Sequence, residues 1–231
     1  MFGIAAGLWL GHSRGMTIQI AVLIYDGFTA LDAVGPMQVL SALPGATVEW
    51  VAAEPGPKRS DAGVALVADH GLDAVPRPDI VVVPGALDVR PAAGDPRVLH
   101  WLTAAHRTTT WTTSVCTGAL ILGAAGLLRG LQATTHWGAL DTLATFGARP
   151  MRERVVREGR VVTAAGVSAG IDMALRLAAL VAGDSVAQTI QLMIEYDPEP
   201  PYRAGSPATA PAEALQHARR VLARAAAPPT T

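Results

Sequence analysis

The chain of 231 residues has one cysteine, three phenylalanines, and charged residues at only 16% of positions. A lone cysteine excludes an intramolecular disulfide and leaves no partner for a zinc cluster. It also suits a reducing cytoplasm. The formal net charge is −1, with no basic run and no interleaving of aromatic and basic residues. Nothing in that pattern calls for nucleic acid or an anionic membrane surface. Residues 2–10 are apolar but too few to cross a bilayer, and they lack the preceding positive charge and following cleavage site of a signal peptide. Residues 1–15 are therefore expected to be an extension outside the fold, 16–226 one α/β domain, and 227–231 a frayed tail. No His, Asp or Glu pair has metal-ligand spacing, so no metal is expected.

Half of the residues are hydrophobic. With so few aromatics, the core must be built from Ala, Val, Leu and Ile, as in a tightly packed α/β layer structure. Short apolar runs alternate with helical stretches. Strands are predicted at 18–25, 47–53, 64–68, 79–83, 109–115 and 132–135, with 154–157 and 160–164 pairing as a hairpin. Helices are predicted from a Thr29 cap to about 42, from the Asp95-Pro96 start to about 107, and from the corner after Val115 to about 126. Others are expected at 137–146, at 169–181 behind a Ser168 cap, at 185–196 and at 212–225. The Pro- and Gly-rich 54–60 stretch reads as a turn. This alternation predicts a mostly parallel sheet with helices on both faces. Ligands of such sheets bind beyond the carboxyl ends of the strands, and Asp32, Gly85 and Cys116 each follow a predicted strand end.

Cys116 lies between the strand-like Trp111-Thr112-Thr113-Ser114-Val115 and the helix-like Gly118-Ala119-Leu120. An inert core residue and a nucleophile are both open to a lone cysteine. A strand-to-helix corner, the cysteine counterpart of a nucleophile elbow, favours the nucleophile. Helix-end amides should favour its thiolate, and the Thr117 amide should face a developing anion. Asp32 sits in the apolar stretch Ala30-Leu31-Asp32-Ala33-Val34. Burial would raise its pKa and fit it for acid/base work. An early-helix aspartate serving its own first-turn amides is the other reading, and both stay open. His136 is either a partner for the cysteine or a structural histidine, and the structural role is favoured. Gly166-Val167-Ser168-Ala169-Gly170 reads as a closely packed helix start rather than a phosphate loop.

Ser114-Val115-Cys116-Thr117-Gly118, Gly123-Ala124-Ala125-Gly126-Leu127-Leu128 and Ala133-Thr134-Thr135-His136-Trp137 resemble the PfpI/ThiJ (DJ-one) superfamily, relatives of the class I glutamine amidotransferases. Leu31-Asp32 with Gly35-Pro36, Glu153-Arg154-Val155-Val156-Arg157, Ala169-Gly170-Ile171-Asp172 and Glu195-Tyr196-Asp197-Pro198 are similar to its isonitrile-hydrating branch. The resemblance implies a flavodoxin-like three-layer α/β sandwich, a homodimer, no cofactor, and a small-molecule isonitrile converted to an N-substituted formamide. It implies that Cys116 attacks the isonitrile carbon, that Asp32 is the acid/base, and that Thr117 replaces a histidine found in many relatives. Gly85, Ala86 and Thr117 would then supply oxyanion or substrate-binding groups, and Gly166 and Val167 would wall the site. Ala86 stands where the family usually has a second glycine, and is expected to narrow the pocket if its φ is positive. Ala165 likewise stands in a run that is more glycine-rich in relatives. Two alternatives use the same scaffold differently. One is an amidase-like or glyoxalase-like cysteine enzyme, which calls for a histidine or glutamate near the cysteine. The other is non-enzymatic: a redox sensor oxidised at Cys116, or a regulator like the PfpI-like domains that precede the DNA-binding helices of AraC-type factors, for which this chain is too short.

Overall fold

Residues 17–226 are described by a computed structural model, and the extension expected at 1–15 and the tail expected at 227–231 lie outside the described residues. The elements run β1 (Ile18–Leu23), α1 (Ala30–Leu40), β2 (Ala46–Ala52), β3 (Gly56–Arg59), β4 (Ala65–Ala68), β5 (His70–Gly71) and β6 (Ile80–Val83). Next come α2 (Arg90–Ala93), α3 (Pro96–His106), β7 (Trp111–Val115), α4 (Gly118–Ala124), β8 (Gln132–Ala133), α5 (Leu140–Thr145) and β9 (Arg149–Pro150). The chain continues through β10 (Val155–Glu158), β11 (Val161–Ala164), α6 (Ala169–Ala182), α7 (Asp184–Met193) and α8 (Ala212–Ala226).

Seven strands form the central sheet in the order β10-β11-β7-β6-β1-β2-β5. Every neighbouring pair is parallel except β10 with β11. The continuous apolar runs are explained by burial on both faces. From β1, Ile20 and Val22 pack with α1 and α6 residues such as Val39, Met173 and Leu177. Ala21 and Leu23 pack on the opposite side with Leu102, Ile121 and Leu122 of α3 and α4. Two cores of aliphatic side chains on either side of one sheet make the flavodoxin-like α/β sandwich that the alternation predicted.

Several local expectations are corrected. Residues 54–60 are not simply a turn: Gly56–Arg59 pairs antiparallel with Ala65–Ala68 in a separate hairpin. That hairpin is fastened to the turn after β1, where the Arg59 N–H donates to Asp26 Oδ1 at 2.9 Å and the Gly27 N–H donates to the Arg59 carbonyl at 2.7 Å. The strand expected at 132–135 stops at Ala133 and pairs only with β9, because the Thr134 N–H is taken by Thr163 Oγ1 at 2.8 Å. The helix expected from 137 starts with a 3₁₀ turn over Trp137–Ala139, and the short α2 was not foreseen. Asp95 caps α3 by accepting from the Arg97 N–H. Thr29 and Ser168 occupy capping positions without capping. Their hydroxyls are committed elsewhere, Thr29 donating to Asp61 at 2.6 Å and Ser168 accepting from Arg154 at 3.3 Å.

Because β1, β6 and β7 are adjacent, the segments that leave their carboxyl ends meet. The connection from β1 runs outward to β2 on one side, and β6 lies on the other, so the crevice opens where the strand order reverses. This approach is close. A Cβ on Gly118 would collide with the Val83 carbonyl oxygen and lie 2.9 Å from the Pro84 carbonyl carbon. Backbone cannot yield as a flexible side chain does. Gly118→Ala is therefore expected to destabilise the fold by about 2 kcal/mol or more, read by chemical denaturation; an unchanged midpoint would contradict this packing.

Candidate active site

Asp32, in the first turn of α1, is fully buried. Its Oδ2 accepts from the Gly85 N–H at 2.9 Å, on the turn that ends β6. The carboxyl therefore bonds a distant strand end and not the first-turn amides of its own helix. Its Oδ1 is buried with no hydrogen-bond partner. Burial raises Asp32 to about 7, against the Gly85 bond and the neighbouring Cys116 thiol, which lower it. The negative charge of Asp61 pushes in the same direction.

Cys116 occupies the corner between β7 and α4 with φ of 57°, in the left-handed region that disfavours a side chain. Backbone bonds hold it there. Its N–H donates to the carbonyls of Ala164 and Ala165 at 3.1 and 2.8 Å, and its own carbonyl accepts from Thr135 Oγ1 at 2.8 Å. Only 6% of the residue is exposed. Burial opposes the effect expected of the helix-end amides. Burial pushes the thiol up to about 12, the Asp32 charge adds to this, and the amides of Thr117 and Val167 pull only partly the other way.

Thr117 has a hydroxyl shared among three groups. Its Oγ1 donates to the Ala86 carbonyl at 2.6 Å and accepts from the Ala86 N–H at 2.9 Å. It also lies within reach of the sulfur, towards which a hydroxyl proton lowers the thiol pKa. Of the three amides expected to meet a developing anion, Gly85 is engaged with Asp32 and Ala86 with Thr117. The free donors beside the sulfur are the Thr117 and Val167 amides. Ala86 has no positive φ and packs in the core against the sheet, so its methyl causes no backbone strain. Gly85, by contrast, has no space for one: a Cβ there would lie 2.6 Å from the Thr117 nitrogen. Gly166 sits against the His136 ring, with a Cβ position 3.2 Å from Cδ2. His136 accepts from the Gly138 N–H through Nδ1 at 3.2 Å, and burial holds its pKa below the usual value. It is a turn-capping residue and has no bond to Cys116.

Tyr25 escaped the sequence reading. Its hydroxyl donates to the Pro84 carbonyl at 2.9 Å, and the Thr29 N–H donates to the Gly85 carbonyl at 2.8 Å. Together they fix the peptide that orients Asp32. Burial, with the charges of Asp32 and Cys116 nearby, holds the Tyr25 phenol well above its ordinary pKa, so it remains a donor. A tyrosine just past the first strand was the available signal. Among the described residues, no three His, Cys, Asp or Glu side chains lie together as metal ligands would.

A buried carboxyl beside a cysteine at a strand-to-helix corner belongs with the fold around it: the chain is a member of the DJ-1/PfpI family, matched over residues 18–180. Among its relatives is an isonitrile hydratase of Pseudomonas putida, 42% identical over 205 residues that cover 89% of this chain and 90% of that protein. The transcriptional regulator CdhR of Pseudomonas aeruginosa is 29% identical over 71% of this chain and 51% of its own length. The crystal structure of a ThiJ/PfpI family protein from Pseudomonas syringae superposes with a TM-score of 0.88 at 41% identity, covering 90% of this chain and 87% of that one. Drosophila melanogaster DJ-1beta shares the fold, with a TM-score of 0.71 at 20% identity over 78% of this chain and 99% of its own.

The raised pKa of Asp32 makes a stability prediction. The folded protein binds this proton more tightly than the unfolded chain, so stability falls as pH rises from 3.8 to about 7. A shift of that size is worth on the order of 4 kcal/mol. Asp32→Asn should remove the penalty, so the variant gains on the wild type as pH rises through this window and keeps its advantage above it. Denaturant unfolding of both proteins across the window measures this; parallel stability curves would contradict it.

Proposed function

We propose that the protein hydrates isonitriles to N-substituted formamides, with Cys116 as nucleophile and Asp32 as the group that moves protons. The observation that carries this reading is the buried Asp32 carboxyl, fixed by Gly85 through one oxygen and uncommitted at the other, beside the only thiol. The 42% identity to the Pseudomonas putida isonitrile hydratase supports the substrate.

With the thiol protonated at rest, the chemistry begins with Asp32 as its carboxylate. It takes the thiol proton as sulfur bonds to the terminal carbon of R–NC, and returns that proton to the same carbon. This leaves the thioimidate Cys116-S–CH=N–R and a carboxylate again. Water then adds to the carbon while Asp32 accepts its proton and passes it to nitrogen. The intermediate Cys116-S–CH(OH)–NHR collapses to HC(=O)NHR, breaking the carbon–sulfur bond, and the hydroxyl proton restores the thiol. The sum is one isonitrile and one water giving one formamide. A carboxyl with pKa near 7 can both give and take a proton at neutral pH. As the thiolate forms, the Thr117 hydroxyl can turn its proton from the Ala86 carbonyl to the sulfur, joining the Thr117 and Val167 amides.

The same burial weighs against a redox sensor, because oxidation needs an accessible thiolate. An amidase-like or glyoxalase-like chemistry would need a histidine or glutamate at the cysteine, and Thr117 and Asp32 stand there instead. Within this reading the enzyme works as a cytoplasmic homodimer. Half-exposed apolar residues such as Leu31 and Leu180, on the packed helices α1 and α6, support a subunit contact.

Purified protein given cyclohexyl or para-nitrophenyl isonitrile should release the formamide. Cys116→Ala should abolish turnover, and Asp32→Asn should slow it by about 10²- to 10⁴-fold. Because attack needs the carboxylate, kcat/KM should rise with pH on a limb centred near 7. An inactive wild type, or an active Cys116→Ala, would overturn the proposal.

A further inference from the structure

Three sequence stretches that carry the branch resemblance have no part in the chemistry above: Glu153-Arg154, Ile171-Asp172 and Glu195-Tyr196. In the fold they converge. Asp172 Oδ2 accepts from Arg154 Nε at 2.9 Å, from a second Arg154 nitrogen, and from the Tyr196 hydroxyl at 3.0 Å. The same arginine grips both ends of the turn between β11 and α6. Its carbonyl accepts from the Ala165 N–H at 2.9 Å, and its Nη2 donates to Ser168 Oγ at 3.3 Å. Between those two points lie Gly166 and Val167.

That turn is also the one bonded to the nucleophile. The Ala165 carbonyl accepts from the Cys116 N–H at 2.8 Å, and the Val167 amide faces the Cys116 thiol and favours its ionised form. The delivery of Tyr196 is itself built. Glu195 is, with Cys116, one of the two non-glycine residues with positive φ among the described residues, at 50°. Such a conformation costs of order 1–3 kcal/mol and persists only where surrounding bonds over-determine it. Here the Tyr196 N–H donates to the Gln191 carbonyl at 3.1 Å, and Gln191 Nε2 donates to the Tyr196 carbonyl at 3.0 Å. One strained residue presents the thiol, and the other presents a hydroxyl to the network behind it.

We infer that Arg154, Asp172 and Tyr196 are positioning residues that hold the 165–168 turn so that the Val167 amide meets the Cys116 sulfur. Arg154 and Asp172 have half- and one-third-exposed side chains, so their pairing contributes little to stability. What the fork of the arginine supplies is direction, since it bonds a carboxylate and a hydroxyl from one plane. None of the three touches the reacting atoms. The titratable groups that do face the sulfur are Asp32, from α1, and Tyr25, from the turn after β1.

The inference deepens the reading of Cys116 as a nucleophile, and its test uses no isonitrile, so either can fail alone. Cys116 is the only thiol, so iodoacetamide labelling of the full chain reports on it without interference. Losing the Val167 donor should leave less thiolate at any pH below the thiol midpoint. Labelling of Arg154→Met should slow about tenfold and of Tyr196→Phe about threefold, the former equal to one pKa unit. Arg154→Lys, which can reach Asp172 but has no fork for Ser168, should fall between them. Melting temperatures of Tyr196→Phe and Arg154→Lys should stay close to the wild type, which a merely structural role would not allow alongside slowed labelling. Unchanged or faster labelling in these variants would overturn the inference. If Arg154→Met does not fold, Tyr196→Phe decides alone.

Discussion

The hydrogen bond from the Gly85 N–H to Asp32 is the constraint on which the site depends. It joins the first turn of α1 to the end of β6, and it holds a carboxyl with no exposed surface next to a buried thiol. An ionised carboxylate there, with one amide and a thiol for company, is only partly solvated, so the group holds its proton into the neutral range. The Gly85 peptide can play this part because its surroundings fix it on every side. Tyr25 anchors the preceding carbonyl, Thr29 bonds its own carbonyl, and Thr117 brackets the next residue through both amide and carbonyl. A glycine is required where Thr117 and Gly118 crowd the turn.

The two titrating groups of the site explain each other. Asp32 raises the thiol through its charge, and the neighbouring thiol lowers Asp32 in turn. In the proposed reaction this coupling makes the two groups a proton-transfer pair. It also accounts for the strained corner at Cys116. A left-handed cysteine points its sulfur between the carboxyl from α1 and the amides of Thr117 and Val167, and the carbonyls of Ala164, at the end of β11, and Ala165, just past it, hold it there.

Much of this was legible in the sequence where one physical rule dominated. The apolar runs at residues 20–24 and 80–83 are short and β-branched, which suits strands buried on both faces, and their alternation with helices favours a parallel sheet. Asp32, Gly85 and Cys116 could be grouped because each follows such a strand. The remainder depended on choices that local sequence does not encode. Thr29 and Ser168 read as helix caps, and the fold assigns their hydroxyls to Asp61 and Arg154, which arrive from distant segments. The 56–59 strand was hidden by Pro57 and Gly56, which an edge hairpin tolerates and an interior strand would not. The pKa of Cys116 depends first on burial and on the Asp32 charge, which come from segments distant in sequence, whereas the helix-end amides are the one influence visible locally.

The central claim is that Asp32 is a carboxyl poised between its two protonation states beside a neutral thiol. An isotope-edited infrared titration, with aspartate labelled and Asp32→Asn as the blank, observes that proton directly. A protonated-carboxyl band assigned to Asp32 should persist through the acid range and fade with a midpoint near 7. A midpoint near the ordinary value of 3.8, leaving a fully ionised carboxylate at neutral pH, would contradict it.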